Sequence, residues 1–217
     1  MKKILLIALT FSFMLLMSAC SSNTVENAKM TINRAELTEE EQNILDLVNA
    51  SENPYLWDFT LDGTVKSMTM ITYELVDGNW SEIAYSGEQF EDSEGRIALV
   101  FDNIADGVTT GVESENKGGS QSYTPDHDMS FDGMASSTAT LSNPYDIVYD
   151  EEIPLVIQIH TTSNVISSSN PEYGFENTED YKNHQKVYAI TVTFSQKTVA
   201  ELDEVELKDC PDDKEKW

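Results

Sequence analysis

The chain has 217 residues, of which 39 are acidic and 13 basic, for a formal charge of −26 with histidine neutral. A field of that sign repels nucleic acid, whose binding draws most of its affinity from phosphate neutralisation by Lys and Arg; anionic lipid and anionic wall polymers are disfavoured for the same reason, leaving neutral, cationic or metal-bridged partners. The length suits one domain with a sizeable core, and the charge otherwise bears on solubility rather than on fold.

At the N-terminus, Lys2 and Lys3 precede an apolar run from Ile4 to Met17, and Ser18 and Ala19 put small residues just ahead of Cys20. This is the layout of a secretory signal peptide over residues 1–19. The run is shorter than the roughly 18 apolar residues of a membrane-spanning helix. Leu16 to Cys20 resembles a bacterial lipobox, with Met17 where Leu is commoner. The resemblance implies cleavage after Ala19 and a diacylglyceryl thioether on Cys20. Two acyl chains, at about 0.8 kcal/mol per buried methylene, suffice for stable anchoring. The expected location is therefore the extracytoplasmic face of the cell membrane. Ser21 and Ser22 follow the cysteine with no Asp after it, which by the family rule is not an inner-membrane retention signal and equally suits a Gram-positive envelope. Cleavage that leaves a plain Cys20 is the alternative. Removing residues 1–19 takes away two lysines and no acid, leaving 11 basic against 39 acidic residues, or −28. With Cys20 alkylated, Cys210 has no partner for a disulfide. Its carboxylate neighbours Asp212 and Asp213, at the head of a charged tail over residues 211–217, disfavour a thiolate.

Residues 20–36 read as the lipidated cysteine and a flexible polar tether, and residues 37–210 as a single domain. Thr38 with Glu41 forms a capping box, Glu39 to Glu41 place negative charge in the first turn, and Ile44, Leu45 and Val48 share a helical face. Asn53-Pro54 ends this helix, which is expected to pack on the body's edge or end. Beyond Pro54 the period becomes two. Trp57, Phe59 and Leu61 alternate with Asp58, Thr60 and Asp62. Asp62-Gly63 and Asp77-Gly78 separate this run from Val65–Val76 and Trp80–Tyr85, and Asp-Gly suits two-residue hairpins. A three-strand meander is expected there. Further strands read at 96–104 and 108–113, joined by Asp106-Gly107, at 135–141 and 153–162, with a short one possible at 145–149. The cleanest alternation sets Tyr188, Ile190, Val192 and Phe194 against Ala189, Thr191, Thr193 and Ser195, and a weak last strand includes Val205 and Leu207. Eight or nine short strands argue an all-β, antiparallel β-sandwich with one short N-terminal helix. Two polar stretches, 116–132 and 163–186, exceed ordinary loop length and are the first places to look for function.

Candidate chemistry is sparse. Asp126, His127, Asp128 and Asp132 are the densest set of hard ligands, and their oxygens would suit Ca²⁺. Their spacing resembles the opening of an EF-hand loop, yet Phe131 stands at the sixth position, where the turn demands Gly, and no Glu stands at the twelfth. Asp150-Glu151-Glu152, just before Pro154, reads as a solvated turn. His127, His160 and His184 have no spacing that suggests a transition-metal site. By the alternation, His160 points away from the Leu155/Ile157/Ile159 face and reads as a surface or edge residue. No Gly-x-Ser-x-Gly elbow and no phosphate-cradling loop is present. Trp57, sharing a face with Phe59 and Leu61, reads as core. Trp80, beside a turn, reads equally as core or as platform. Tyr173, Phe175 and Tyr181, in the second polar stretch, either plug the open end of the sandwich or form a ligand platform, with plugging favoured because a long loop needs apolar anchors.

The sequence thus reads as a non-enzymatic, membrane-tethered sandwich with a binding or structural role at the cell envelope. Its partner would be the membrane itself through lipid, with an envelope protein or neutral glycan beyond it. The contrasting reading is a cell-surface hydrolase or glycan-processing enzyme with its site in the 116–132 and 163–186 stretches. A substrate receptor of an importer fits poorly, since such receptors are two-lobed α/β proteins and this chain shows no βαβ alternation.

Overall fold

The computed structural model describes residues 29–47, 54–124, 131–164, 166 and 170–202. The expected signal peptide over 1–19, Cys20, Cys210, the expected weak strand around Val205 and the charged tail over 211–217 lie outside these residues. The described chain forms two antiparallel sheets packed face to face. One has six strands, in the order β7 (Gly118–Tyr123), β6 (Val108–Ser114), β5 (Glu94–Val100), β2 (Tyr55–Thr60), β1 (Thr31–Arg34), β9 (Tyr145–Asp146). The other has five, in the order β4 (Asn79–Gln89), β3 (Ser67–Val76), β11 (Lys186–Ser195), β10 (Ile153–Thr161), β8 (Ala135–Thr140).

The all-β sandwich is as expected, but it has eleven strands among the described residues rather than eight or nine. The additions have no apolar signal of their own. Strand β1 falls inside the expected tether, where only Ile32 is buried, and pairing with β2 supplies the rest of its order. Strand β7 falls inside the first polar stretch and is held by its ladder to β6. Both show tertiary pairing overriding weak local propensity.

The expected meander is half right. Asp77-Gly78 is a two-residue hairpin with both φ positive, 51° and 81°, and Val76 faces Asn79 across it. Asp62-Gly63 is a crossover between the sheets. Both edges of β2 are already taken, by β1 and β5, so β3 cannot join it. Asp62 instead accepts from the Thr64 backbone N–H at 2.9 Å, and the buried Leu61 and Val65 pin the crossing to the core. Asp106-Gly107 closes a short 3-10 helix (Ile104–Asp106) between β5 and β6.

Trp57, Phe59, Ile97 and Leu99 from one sheet meet Met68, Ile190, Val192 and Phe194 from the other. Trp57 is fully buried and its indole N–H donates to the Leu141 carbonyl at 2.8 Å. A second apolar cluster lies on the opposite, outer face of the five-stranded sheet. There Ile157, Ile159, Val187 and Ala189 are covered by Tyr181, with Phe175, Trp80, Tyr73 and Leu75 around them.

A bulge decides which residues of β10 face which cluster. Its register shifts between Pro154 and Val156, so Leu155 and Val156 both reach the inner core while Ile157 and Ile159 turn outward. The strict alternation of Leu155, Ile157 and Ile159 therefore breaks, because a bulge inserts one residue and inverts the faces beyond it. Gln158 and His160 end up inside, and His160 is buried rather than on the surface.

Candidate functional site

On one flank, edge strand β4 of the five-stranded sheet faces edge strand β7 of the six-stranded sheet, and the sheets stay open between them. The cleft encloses about 340 Å³. Its floor is apolar, from Met70, Val108 and Ile190. Its walls carry neutral polar groups, Thr72 and Ser86 on one side and Thr110 and Gln121 on the other, with Tyr123 at one rim; Tyr85 and Ser122 border it, but they pair with Ile71 and Thr109 on the outer faces of their strands. No histidine or carboxylate lines it among the described residues. The ladder accounts for this composition. Thr110 pairs with Gln121 and Val108 with Tyr123, so these side chains share the inner face of β6 and β7. Thr72 pairs with Ala84, and Met70 with Ser86. On β4, Gly87 lets the Tyr85 ring lie back along the strand, since a Cβ there would meet the Tyr85 hydroxyl at 3.0 Å. Farther along, Glu88 faces Gly119, whose Cβ would sit 3.4 Å from the carboxylate.

Behind the core lies a buried polar cluster on β10. Gln158 Oε1 accepts from the Ile104 backbone N–H at 2.8 Å, and Nε2 donates to the Asp102 carbonyl at 3.0 Å and to Thr138 Oγ1 at 3.2 Å. The side chain thus ties the two sheets together through the 3-10 turn. His160 Nε2 lies 3.2 Å from Gln158 Oε1, and its ring packs on Phe131 at 4.5 Å between centroids. Burial pushes the imidazole pKa below its ordinary value, against a weaker opposing pull from Asp106. These contacts enclose the ring, so its role is packing.

The first candidate ligand set is only partly within the described chain: Asp126, His127 and Asp128 lie outside it. Asp132 is exposed in the turn before β8. Phe131, the residue that spoils the EF-hand pattern, is the apolar anchor over His160. Among the described residues no three His, Cys, Asp or Glu side chains are arranged for a metal.

The aromatic set of the second stretch does not close the end of the sandwich. It covers the outer face of the five-stranded sheet. Residues Pro171–Glu176 form a helix capped by Asn170, followed by a 3-10 turn over Thr178–Tyr181. Tyr181 is buried, and Phe175 stacks on Trp80 at 5.1 Å while its carbonyl accepts the Trp80 indole N–H at 2.8 Å. Trp80 is therefore engaged by the chain itself. Tyr173, 54 % exposed, stands apart on the outside of that helix. The expected capping box forms: Thr38 N–H donates to Glu41 Oε2 at 2.7 Å and Glu41 N–H to Thr38 Oγ1 at 3.2 Å. Helix α1 (Glu39–Leu47) lies over the outer face of the six-stranded sheet beside Leu56, Ala98 and Gly111.

Sequence reasoning missed the cleft. Its lining comes from five strands, and Thr, Ser and Gln at inner positions look like ordinary solvent-facing residues until the pairing is known. The one available signal was the polar, glycine-rich composition of 118–123.

Comparison with curated proteins and with solved structures finds no match. A family model described as the YgaN domain matches residues 31–194. The match runs from the first residue of β1 to the penultimate residue of β11, taking in both sheets and every residue of the cleft. The chain belongs to the YgaN domain family.

Proposed function

We propose that this protein is a membrane-anchored extracytoplasmic lipoprotein that binds a neutral, hydroxyl-rich chain, a glycan of the cell envelope, in the cleft between β4 and β7. The observation that carries this reading is the cleft's lining: an apolar floor, uncharged hydroxyl and amide walls, and Tyr123 at one rim. Hydroxyl and amide groups exchange hydrogen bonds with sugar hydroxyls, and an aromatic rim suits the apolar face of a pyranose ring. A protein of −28 net charge would admit a neutral chain where it repels an anionic one. A lipid anchor on Cys20, implied by the lipobox resemblance of Leu16 to Cys20, would hold such a cleft where envelope glycans are.

Among the described residues no observation favours the hydrolase reading. Much of the two stretches proposed for its site is used in building the sandwich and covering its outer face. Two measurements test the proposal. Mass spectrometry of the protein from its native membrane is expected to find a diacylglyceryl Cys20 at the N-terminus; an intact Met1 or free thiol there refutes the anchor. Titration of the ¹⁵N-labelled domain with chitotetraose is expected to move amides of β4 and β7, and Gln121→Ala to weaken binding about tenfold. Amide shifts absent at millimolar sugar would refute the glycan.

A further inference from the structure

The chain has two arginines, Arg34 and Arg96, and the fold treats them in opposite ways. Arg96 donates Nε and Nη2 to the Asp58 carboxylate at 2.6 and 3.1 Å, and Nη1 to Glu41 at 2.7 Å. Arg34, on β1, has aromatic neighbours instead. Its guanidinium carbon lies 5.0 Å from the Trp57 ring centroid and 5.2 Å from that of Tyr55, which itself stacks on Phe101 at 5.0 Å. Nη1 is buried and has no hydrogen-bond partner among the described residues. In a chain of 39 acids, no salt bridge joins Arg34 to a carboxylate among the described residues. Burial pulls its pKa below the usual arginine value, but a guanidinium stays charged at any physiological pH.

The neighbouring strand also stops short. Strand β9 pairs with β1 only at Thr31 and Ile32, so among the described residues the backbone edge of β1 beside Asn33 and Arg34 has no strand partner on that side. Five N–H donors in a planar fork match a carboxylate in bidentate fashion, and ring contacts hold the fork in place before a ligand arrives.

We propose that Arg34 anchors a second ligand site, which takes a singly charged, planar carboxylate from outside the chain, the guanidinium gripping the carboxylate and the Tyr55/Trp57 wall its apolar part. The net charge of −26 disfavours phosphate, which carries more charge than a carboxylate. This site lies on the β9 side of the six-stranded sheet, opposite the β7 side that borders the cleft, and stands or falls independently of glycan binding.

Having only two arginines makes the test direct, since the Nε–H spectrum of the ¹⁵N-labelled protein contains two arginine signals. Glu41→Gln identifies that of Arg96 by shifting it. Titration with sodium benzoate, against sodium chloride at constant ionic strength, is expected to move the Arg34 signal saturably in the millimolar range and leave that of Arg96 in place. Sodium phosphate is expected to act at least tenfold more weakly. Arg34→Lys, which keeps the charge and loses the fork, is expected to weaken benzoate binding at least tenfold, read from the Tyr55 and Trp57 amides. An unmoved Arg34 signal, an equal response to phosphate or chloride, or undiminished binding in a folded Arg34→Lys protein overturns the proposal. The wild-type titration decides alone if that variant does not fold.

Discussion

The outer faces of the two sheets are built differently. On the five-stranded sheet, Ile157, Ile159, Val187 and Ala189 form an apolar patch that Tyr181 and Phe175 cover. On the six-stranded sheet the outer positions include Asp58, Arg96 and Glu113, and helix α1 rests there with no buried residue, Ile44 55 % and Leu47 84 % exposed. An ion-pair cluster, Glu41–Arg96–Asp58, joins that helix to the sheet. One cover is held by apolar burial and the other by charge and a helix cap. Burial is cooperative with the whole fold, whereas exposed ion pairs contribute about 0.2–1 kcal/mol each and are screened by salt.

This contrast can be broken experimentally. The largest effect is expected from Ile157→Ala, which opens a cavity under Tyr181 and should cost about 3 kcal/mol of global stability in urea denaturation. A cost near zero would mean that the 171–181 cover is not part of the folding unit. On the other face of the same strand, Gln158→Leu strips partners from the Ile104 N–H and the Asp102 carbonyl. It should cost about 2 kcal/mol, because the buried Ile104 N–H loses its acceptor. Thr38→Ala removes the cap of α1 and should cost about 1 kcal/mol. That loss is expected as faster amide exchange confined to α1, with an unchanged urea midpoint; a shifted midpoint would show that α1 unfolds with the body.

The smallest effect concerns pH. The Thr38 backbone N–H, then the Thr38 hydroxyl, then Arg96 hold the Glu41 carboxylate down to about 2, from an ordinary 4.5. A depressed carboxylate contributes fully above its unfolded pKa and loses its contribution as pH falls through the folded value. Attachment of α1 should therefore be complete above about pH 4.5 and fade as pH falls towards 2. A carboxyl ¹³C titration of Glu41 with its midpoint at 4.5 would refute the capping-box geometry.

Much of the fold was legible locally. The Tyr188–Phe194 alternation, the Asp77-Gly78 hairpin and the Thr38 cap each depend on residues close in sequence, and each forms as expected. The failures share a cause: they depend on partners far along the chain. Asp62-Gly63 has the same composition as a hairpin turn, and only the occupied edges of β2 exclude one. His160 looked external because one bulge, near Pro154, inverts the alternation beyond it. The cleft was invisible because Thr72, Ser86, Thr110 and Gln121 come to face one another only through the pairing of strands far apart in the chain.

By itself, then, the sequence determined the class of fold, the net charge and the local caps and turns; the lipobox resemblance on which the proposed location depends is a local pattern of the same kind. Periodicity, turn chemistry and charge are properties of neighbouring residues, so a linear reading recovers them. Strand order, the bulge on β10, the cover over Ile157 and Ile159, and the opening between β4 and β7 were decided only by tertiary structure. Each is a choice of partner among strands, and that choice is set by which edges and faces remain free once the rest of the chain has paired.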